Sequence, residues 1–145
     1  MNIQILVKLT SKSQMPSKAT NGSSGYDLSA SEEVLIEPHT SALVGTGLFI
    51  EVPIGYELQI RSRSGLALKQ GVVVFNSPGT IDSDYRGEIK VILFNHSSEP
   101  FKVEQGMRIA QMVLCAVPKS ELLQIGELTS TERGSGGFGS TGLTS

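Results

Sequence analysis

The sequence lacks the features that define several large classes of protein. It contains a single cysteine, Cys115, which excludes an internal disulfide and a cysteine-rich zinc site. Lys and Arg total 12 against 14 Asp and Glu, so the net charge is −2 and no overall basic field is present to hold a nucleic acid. The longest apolar run, Met112 to Val117, is too short to span a bilayer. We therefore expect neither a nucleic acid nor a membrane as a partner.

The N-terminal residues and the overall composition indicate an ordinary globular protein. Residues 1–10 contain no long apolar stretch, so we expect no signal peptide, and the lone cysteine suits a reducing, cytoplasmic setting. The 145 residues fit one domain. A chain of this length buries roughly 70% of the surface that its unfolded form exposes. A hydrophobic core is therefore expected without disulfides or structural metals.

Apolar and polar residues alternate in several short segments, a pattern typical of strands with one buried face. These segments are 3–9, 56–61, 89–93 and 101–103. Two near-continuous apolar runs, 72–75 and 112–117, are typical of strands buried on both faces. Gly- and Pro-containing turns separate the segments, which predicts an all-β sandwich or barrel with at most one short helix, in residues 62–70.

Arginine and aspartate are concentrated in a small part of the chain. All five arginines and all three aspartates lie in five glycine-containing blocks, and all seven lysines lie outside them. The blocks are SGYDLSA (24–30), RSRSGLA (61–67), NSPGTIDSDYRGE (76–88), GMRIAQ (106–111) and RGSGGFGSTG (133–142). The planar arginine fork suits bidentate phosphate binding, and aspartate suits a base or a metal's water shell. The blocks therefore predict a site for an anionic ligand.

The five blocks, in this order, resemble the five motifs of the homotrimeric dUTPases, the deoxyuridine triphosphate nucleotidohydrolases. The resemblance covers residues 24–142, with Ser24 and Ser62 as minor departures. It implies a jelly-roll-like β domain over residues 1–132 and a flexible Gly-rich arm over 133–145 that closes over a neighbouring active site. It also implies hydrolysis of dUTP to dUMP and pyrophosphate, with Mg²⁺ as cofactor, in a homotrimer whose active sites are shared between subunits.

The third block is similar to the nucleoside pocket of that family. The resemblance implies that Asp82 is the general base for the water that attacks the α-phosphorus, and that Tyr85 packs on the deoxyribose and excludes a 2′-hydroxyl. It also implies that Asn76, with backbone groups of the hairpin at Gly79, reads the uracil edge. From the residues alone, Asp82 could instead cap a turn, Tyr85 could be a core residue in a hairpin, and Asn76 could form an Asx turn before Pro78.

The first, second and fourth blocks resemble the phosphate side of the family's site. The resemblance implies that Asp27 acts on a metal through water, and that Arg63, Ser64, Gly65 and Gln111 bind the phosphates. The backbone N–H groups of a helix start favour an anion, and Gly allows its close approach. The plainer alternatives are a turn-forming Asp27 and a Ser64 that only caps the helix. Arg108 is interpreted as a structural ion-pair partner, and Asp84 as a structural partner of Arg86.

The fifth block is interpreted as a mobile lid. The resemblance implies that its residues contact the γ-phosphate and the uracil ring; they are Arg133, Phe138, Gly139, Ser140 and Thr141. Its glycines also match the dinucleotide-binding pattern G-x-G-x-x-G, but no strand–helix unit surrounds them, so that match is spurious. The plainer alternative is a tail that is disordered without ligand.

Two other functions remain open from the sequence. A deaminase acting on dCTP shares the trimeric fold, but its catalytic glutamate motif cannot be placed in this chain. A dUTPase-fold protein that has lost catalysis and serves as a regulatory binder is the second, and the intact Asp82, Arg133 and Phe138 argue against it.

Overall fold

The protein is described from a computed structural model that covers residues 2–140. The described chain forms ten strands and one helix. In chain order these are β1 (Leu6–Leu9), β2 (Gly25–Ser29), β3 (Val34–Ile36), β4 (Ser41–Glu51), β5 (Tyr56–Arg61), α1 (Ser64–Gln70), β6 (Val72–Val74), β7 (Gly79–Ile81), β8 (Glu88–Asn95), β9 (Phe101–Val103) and β10 (Arg108–Ala116).

The strands form two four-stranded sheets and one small ribbon. The first sheet has the order β1-β4-β8-β6, the second has the order β2-β10-β5-β7, and β3 pairs with β9. From β4 to β8 each successive strand lies in the other four-stranded sheet, so the chain crosses the sandwich at every connection. This is a jelly-roll-like β-sandwich, and the predicted all-β fold is confirmed.

Alternation along the strands places the core between the two sheets. Leu58 and Ile60 of β5, together with Ile89, Val91 and Leu93 of β8, are almost fully buried, as their period-2 spacing predicts. Burial of each such side chain contributes about 1.5–3 kcal/mol. The core therefore holds the two sheets, and the loops between them, at a fixed separation.

The buried Asn95 has a complete set of hydrogen bonds. Its Nδ2 donates to the carbonyls of Ile36 (3.0 Å) and Glu99 (2.8 Å). Its Oδ1 accepts from the backbone N–H (2.9 Å) and the hydroxyl (2.7 Å) of Ser97. Because an unpaired buried amide costs about 1–3 kcal/mol, these bonds are what allow a polar residue here, and they fix the connection between β8 and β9.

The helix lies where the sequence predicts it. It is the seven-residue α1, about two turns long, and Gly71 ends it with φ 66° and a backbone N–H that donates to the Ala67 carbonyl at 3.0 Å. A left-handed residue at this position favours glycine. The helix connects β5 in one sheet to β6 in the other. No helix within residues 2–140 is long and apolar enough to cross a membrane.

Three strand predictions are wrong in part. The first strand starts at Leu6, so Ile3 lies outside it and is exposed, as is Leu9. The runs 72–75 and 112–117 are buried over part of their length only: Met112 and Val113 are both buried, but Phe75 and Val117 at the ends of the runs are exposed. The reason is that β6 is an edge strand and that β10 ends at Ala116, so the outer ends of both runs leave the sandwich.

The chain after β10 has a different character from the rest. Residues 118–140 contain no strand or helix, and Leu122, Leu123 and Leu128 are almost fully exposed. No hydrogen bond or ion pair in the described residues joins 118–140 to 2–117; the last such link is the Val117 N–H, which donates to the Gly55 carbonyl at 2.8 Å. The predicted boundary between domain and arm at residues 132 and 133 stays a prediction.

Candidate functional site

One cluster of charged side chains lies where β2, β10 and β5 run side by side. In this sheet Gln111 of β10 is level with Asp27 of β2 on one side and with Arg61 of β5 on the other. Asp27 Oδ1 accepts from Arg63 Nε at 3.1 Å, and its Oδ2 accepts from Arg108 Nη1 at 3.1 Å. Residues far apart in sequence are therefore brought together by strand pairing.

This cluster carries more positive than negative charge. Two guanidinium groups face the single carboxylate of Asp27, and Arg63 also donates to the Arg108 carbonyl at 3.2 Å. The excess positive charge, together with the fork geometry of arginine, suits a phosphate group. The predicted ion-pair role of Arg108 agrees with its contact to Asp27.

Gln111 is held in place beside this cluster. Its Nε2 donates to the Ser62 carbonyl at 3.0 Å. A Cβ atom built on Gly25, in the neighbouring strand, would lie 2.5 Å from Gln111 Oε1, so glycine at this position leaves the space that the amide occupies. The glycine of the first block therefore shapes the position of a residue in the fourth.

Ser64 and Gly65 are the first two residues of α1, and both are exposed. The residue in the N-cap position is Arg63, with φ −92° and ψ 125°, and its side chain makes no capping hydrogen bond. The alternative that Ser64 is an ordinary N-cap is therefore wrong. The first backbone N–H groups of α1 lie next to the arginine cluster because Arg63 belongs to both.

A second group of candidate residues lies on the segment 76–88, which crosses between the sheets twice. β7 pairs with β5 in one sheet, whereas β6 before it and β8 after it belong to the other. Gly79 is buried at the start of β7, and a Cβ there would lie 3.3 Å from Asn76 Nδ2, so the amide packs against the glycine. Asn76 itself is exposed.

Asp82 and Tyr85 occupy the turn between β7 and β8. The turn is closed by the Tyr85 N–H, which donates to the Asp82 carbonyl at 3.2 Å, and Tyr85 Oη donates to the Glu88 carbonyl at 2.9 Å. Within the described residues the Asp82 carboxylate makes no hydrogen bond or ion pair, and Tyr85 is 42% exposed. The side chain of Asp82 therefore does not cap the turn, and Tyr85 is not a core residue.

The predicted pairing of Asp84 with Arg86 is wrong. Arg86 turns towards β4, where its Nη2 lies 3.8 Å from Glu51 Oε1, and its Nη1 donates to the carbonyls of Ser83 and Tyr85. Sequence reasoning also missed Glu88, whose carboxylate accepts from the Gly47 N–H at 2.9 Å and lies 3.6 Å from Lys90 Nζ. Glu88 fixes the base of the turn to β4, and its only signal in the sequence is its place at the end of the third block.

Within one chain the two groups are far apart. Asp82 is level with Glu57 of β5, four residues along the strand from Arg61, and three strand spacings separate β7 from β2. At about 3.3 Å per residue and about 4.8 Å per strand, Asp82 lies roughly 19 Å from Asp27. Asp82 lines an open groove of about 660 Å³ that contains none of the residues of the arginine cluster.

The fifth block lies on the exposed end segment. Arg133 Nε donates to the Gly136 carbonyl at 2.9 Å, and a short turn follows in which Phe138 (φ 53°) and Gly139 (φ 87°) are left-handed. Phe138 and Ser140 are exposed, and within the described residues neither makes a hydrogen bond to the β-sandwich. Thr141 lies outside the described residues.

No group of three or more His, Cys, Asp or Glu side chains that could hold a metal ion occurs within residues 2–140. Both oxygens of Asp27 already accept from arginines. A carboxylate oxygen has two lone pairs, so each can still accept one hydrogen bond from a metal-bound water. The cluster therefore fits a role outside the coordination sphere of a metal, and not direct ligation.

Comparison with known proteins agrees with this fold. Among solved structures, the chain is similar to the Staphylococcus bacteriophage 80alpha dUTPase with dUPNHPP, with a TM-score of 0.90, 29% identity and coverage of 97% of this chain and 99% of that one. The chain is therefore a jelly-roll-like β-sandwich protein with the same fold as that structure.

Sequence comparison gives the particular family. The dUTPase family model matches residues 11–142. The deoxyuridine 5'-triphosphate nucleotidohydrolase of Nautilia profundicola is 53% identical over 135 residues, which are 93% of this chain and 95% of the relative. The protein of that name from Picosynechococcus is 57% identical over 137 residues, 94% of this chain and 96% of the relative. The chain belongs to the dUTPase family.

Proposed function

We propose that the protein hydrolyses dUTP to dUMP and pyrophosphate and so keeps uracil out of DNA. The observation that carries the proposal is the family membership over residues 11–142, together with relatives named deoxyuridine 5'-triphosphate nucleotidohydrolase at 53% and 57% identity. The related phage 80alpha dUTPase is described with dUPNHPP. The lone Cys115 supports a reducing, cytoplasmic setting.

Asp82 is the residue we assign to activation of the water. A general base must be within hydrogen-bond reach of the water, at about 2.6–3.2 Å, and a positioned carboxylate contributes roughly 10²–10⁴-fold to the rate. The exposed Asp82 carboxylate has no partner in the described chain that would compete with a water. It takes the proton as the water attacks the α-phosphorus in line with the leaving pyrophosphate.

The turn and hairpin around Asp82 provide the nucleoside contacts. Tyr85 presents its ring at the surface beside Asp82, where it packs against the deoxyribose and leaves no room for a 2′-hydroxyl. Asn76 offers both a donor and an acceptor to the uracil edge, and backbone groups at Gly79 complete the pattern. Discrimination between dUTP and UTP is therefore assigned to Tyr85.

The arginine cluster and the start of α1 bind the phosphates. Arg63, Ser64, Gly65 and Gln111 are the residues we assign to phosphate binding, and Ser64 donates to the oxygen that gains charge as the α–β bond breaks. Asp27 would accept hydrogen bonds from the water shell of a Mg²⁺ ion bound to the triphosphate, because a hard Mg²⁺ usually keeps several waters and takes substrate oxygens. Such an ion would neutralise charge on the phosphates.

Separation of the two groups supports a site shared between subunits. The base must touch a water that lies about 3–3.5 Å from the phosphorus, so the base and the phosphate donors must converge within roughly 10 Å. The distance of roughly 19 Å between Asp82 and Asp27 in one chain exceeds this range. A homotrimer in which Asp82 and Tyr85 of one subunit face Ser64 and Gln111 of a neighbour satisfies the requirement.

The third subunit supplies the lid. Ordering a free segment costs about 1–2 kcal/mol per residue, which contacts with the full triphosphate must offset. Arg133, Ser140 and Thr141 provide these contacts at the γ-phosphate, and Phe138 stacks on uracil. Because dUMP lacks the β- and γ-phosphates, closure over the product is weaker and release is favoured. A closed lid also excludes water other than the nucleophile.

A substrate panel tests the proposed reaction. The purified protein is incubated with Mg²⁺ and dUTP, dCTP or UTP, and pyrophosphate and ammonia are measured. We expect pyrophosphate from dUTP only. Ammonia from dCTP would instead establish a deaminase, and nucleotide binding without any product would support a regulatory binder.

Mixed trimers test the shared site. Asp82→Asn chains and Ser64→Ala/Gln111→Ala chains, each nearly inactive alone, are co-expressed with different tags and the mixed assemblies are isolated. A site that takes Asp82 from one variant and Ser64 and Gln111 from the other is intact, so activity should return. No recovery in mixed assemblies would contradict the placement of the two groups on different subunits.

A further inference from the structure

The ring of Tyr85 lies directly on the backbone of Gly87, two residues along the same turn. A Cβ atom built on Gly87 would lie 2.5 Å from Tyr85 Cζ and 2.9 Å from Cε2, and closer still to Oη. Optimal contacts between such atoms are about 3.5–4.0 Å, so the ring occupies the space that any side chain at position 87 would need.

Glycine at this position is explained by the ring and not by the backbone. The glycines with positive φ in the described chain are Gly47, Gly55, Gly71, Gly106, Gly134 and Gly139. Gly87 is not among them, so an L-residue could adopt its backbone conformation. The absent side chain is therefore the property that matters at Gly87.

The Tyr85 side chain has one hydrogen bond within the described residues. Tyr85 is 42% exposed, and this bond runs from Oη to the Glu88 carbonyl at 2.9 Å. Glu88 is itself fixed to β4 through the bond between its carboxylate and the Gly47 N–H. The turn therefore positions the ring in two ways: the ring packs against the backbone of Gly87, and its hydroxyl is held by the hydrogen bond to the Glu88 carbonyl.

We propose that Gly87 is a positioning residue that determines the selectivity for deoxyribose by fixing the ring of Tyr85. This inference rests on the proposed function, in which Tyr85 excludes the 2′-hydroxyl. A methyl group at position 87 displaces the exposed phenol by about 1 Å or more to restore normal contact distances. The displacement also breaks the bond to the Glu88 carbonyl, while the sandwich is unaffected because the ring is not part of the core.

The first test measures selectivity in Gly87→Ala. The ratio of kcat/KM for dUTP to that for UTP should fall roughly ten- to hundredfold, since a displacement of about 1 Å in a site can cost that much. Gly22→Ala is the matched control, because the nearest atom to a Cβ there is Thr20 Oγ1 at 4.0 Å. The control should keep both the ratio and the Tm, and an unchanged ratio in Gly87→Ala would overturn the inference.

A second comparison separates an effect through Tyr85 from a general structural effect. In a Tyr85→Ala background, which removes the ring, Gly87→Ala should leave the ratio of kcat/KM values where Tyr85→Ala alone puts it. If Gly87→Ala lowers that ratio equally in both backgrounds, the glycine acts independently of Tyr85 and the inference is wrong.

A third measurement needs no substrate. The chain has only three tyrosines, Tyr26, Tyr56 and Tyr85, so ¹³C-labelled tyrosine gives few ring signals, and Tyr85→Phe identifies the third. Gly87→Ala should shift the Tyr85 signals and leave the other two in place. Unmoved Tyr85 signals would overturn the inference whatever the activity. Absence of pyrophosphate from dUTP with the unaltered protein would instead overturn the proposed function.

Discussion

The two arginine contacts of Asp27 allow a prediction of its contribution to stability. The Asp27 side chain is only 17% exposed, and it accepts from Arg63 and Arg108, which are 28% and 57% exposed, at 3.1 Å each. Asp27→Asn keeps the size of the side chain but removes its charge and replaces one acceptor oxygen with a donor amide. One of the two arginines then faces the amide N–H groups of the new side chain instead of an acceptor oxygen. The positive charges of Arg63 and Arg108 are also no longer balanced by a carboxylate.

The expected loss follows from the exposure of each contact. A hydrogen bond to a charged group contributes about 1.5–3 kcal/mol when sheltered, whereas an exposed ion pair contributes about 0.2–1 kcal/mol. The sheltered contact to Arg63 and the exposed contact to Arg108 together suggest a loss of about 2 kcal/mol in the free energy of unfolding. For a chain of this size, that corresponds to a fall in Tm of roughly 4–8 °C.

The chain offers a matched control in the pair formed by Glu33 and Lys102. Its N–O distance of 3.2 Å is nearly the same, but the two side chains are 64% and 56% exposed. Glu33→Gln should therefore lower the free energy of unfolding by at most about 1 kcal/mol. Both variants are compared by thermal and urea unfolding at one fixed protein concentration, because assembly makes Tm depend on concentration. Equal losses in the two variants would refute the argument from exposure.

Three further predictions address catalysis, the lid and the core. Asp82→Asn should lower kcat at least about a hundredfold while calorimetry shows dUTP binding retained, and near-normal turnover would refute its role as the base. Deletion of residues 133–145 should leave the number of subunits in the assembly and its Tm unchanged and remove most activity; normal turnover of dUTP would contradict the lid. Ile89→Ala should lower the free energy of unfolding by about 2–5 kcal/mol in urea titration, whereas the exposed Leu35→Ala should cost far less, and similar losses would contradict the assigned core.

Strict alternation made β5 and β8 predictable from the sequence, whereas the irregular strand β4 could not be predicted. β5 and β8 each have one face in the core and one outside, so their period of two is visible in the residues. The longest strand, β4, was not predicted, because a register shift between Gly45 and Leu48 interrupts the alternation and Val44 to Leu48 are all buried. A bulge of this kind depends on the partner strand, which local sequence does not specify.

The candidate site shows the same division between local and long-range information. The sequence blocks give the candidate residues, but not their contacts. Asp27 and Arg108 are 81 residues apart and meet only through the pairing of β2 with β10. Conversely, Asp84 and Arg86 are neighbours in sequence, and the shape of the turn directs Arg86 to Glu51 instead. The fold, and not the spacing in the sequence, therefore determines which of these charged side chains contact each other.

The segment 76–88 is joined to both sheets, whereas no hydrogen bond or ion pair among the described residues joins 118–140 to the sandwich. Under the proposed function, the choice of base and sugar is assigned to a segment held by both sheets, and closure of the lid is assigned to a segment without such support. Changes in the length or stiffness of the segment between β10 and the lid would then alter turnover without altering which nucleotide is accepted. Evolution can thus tune how fast the protein works and what it works on through separate sets of mutations.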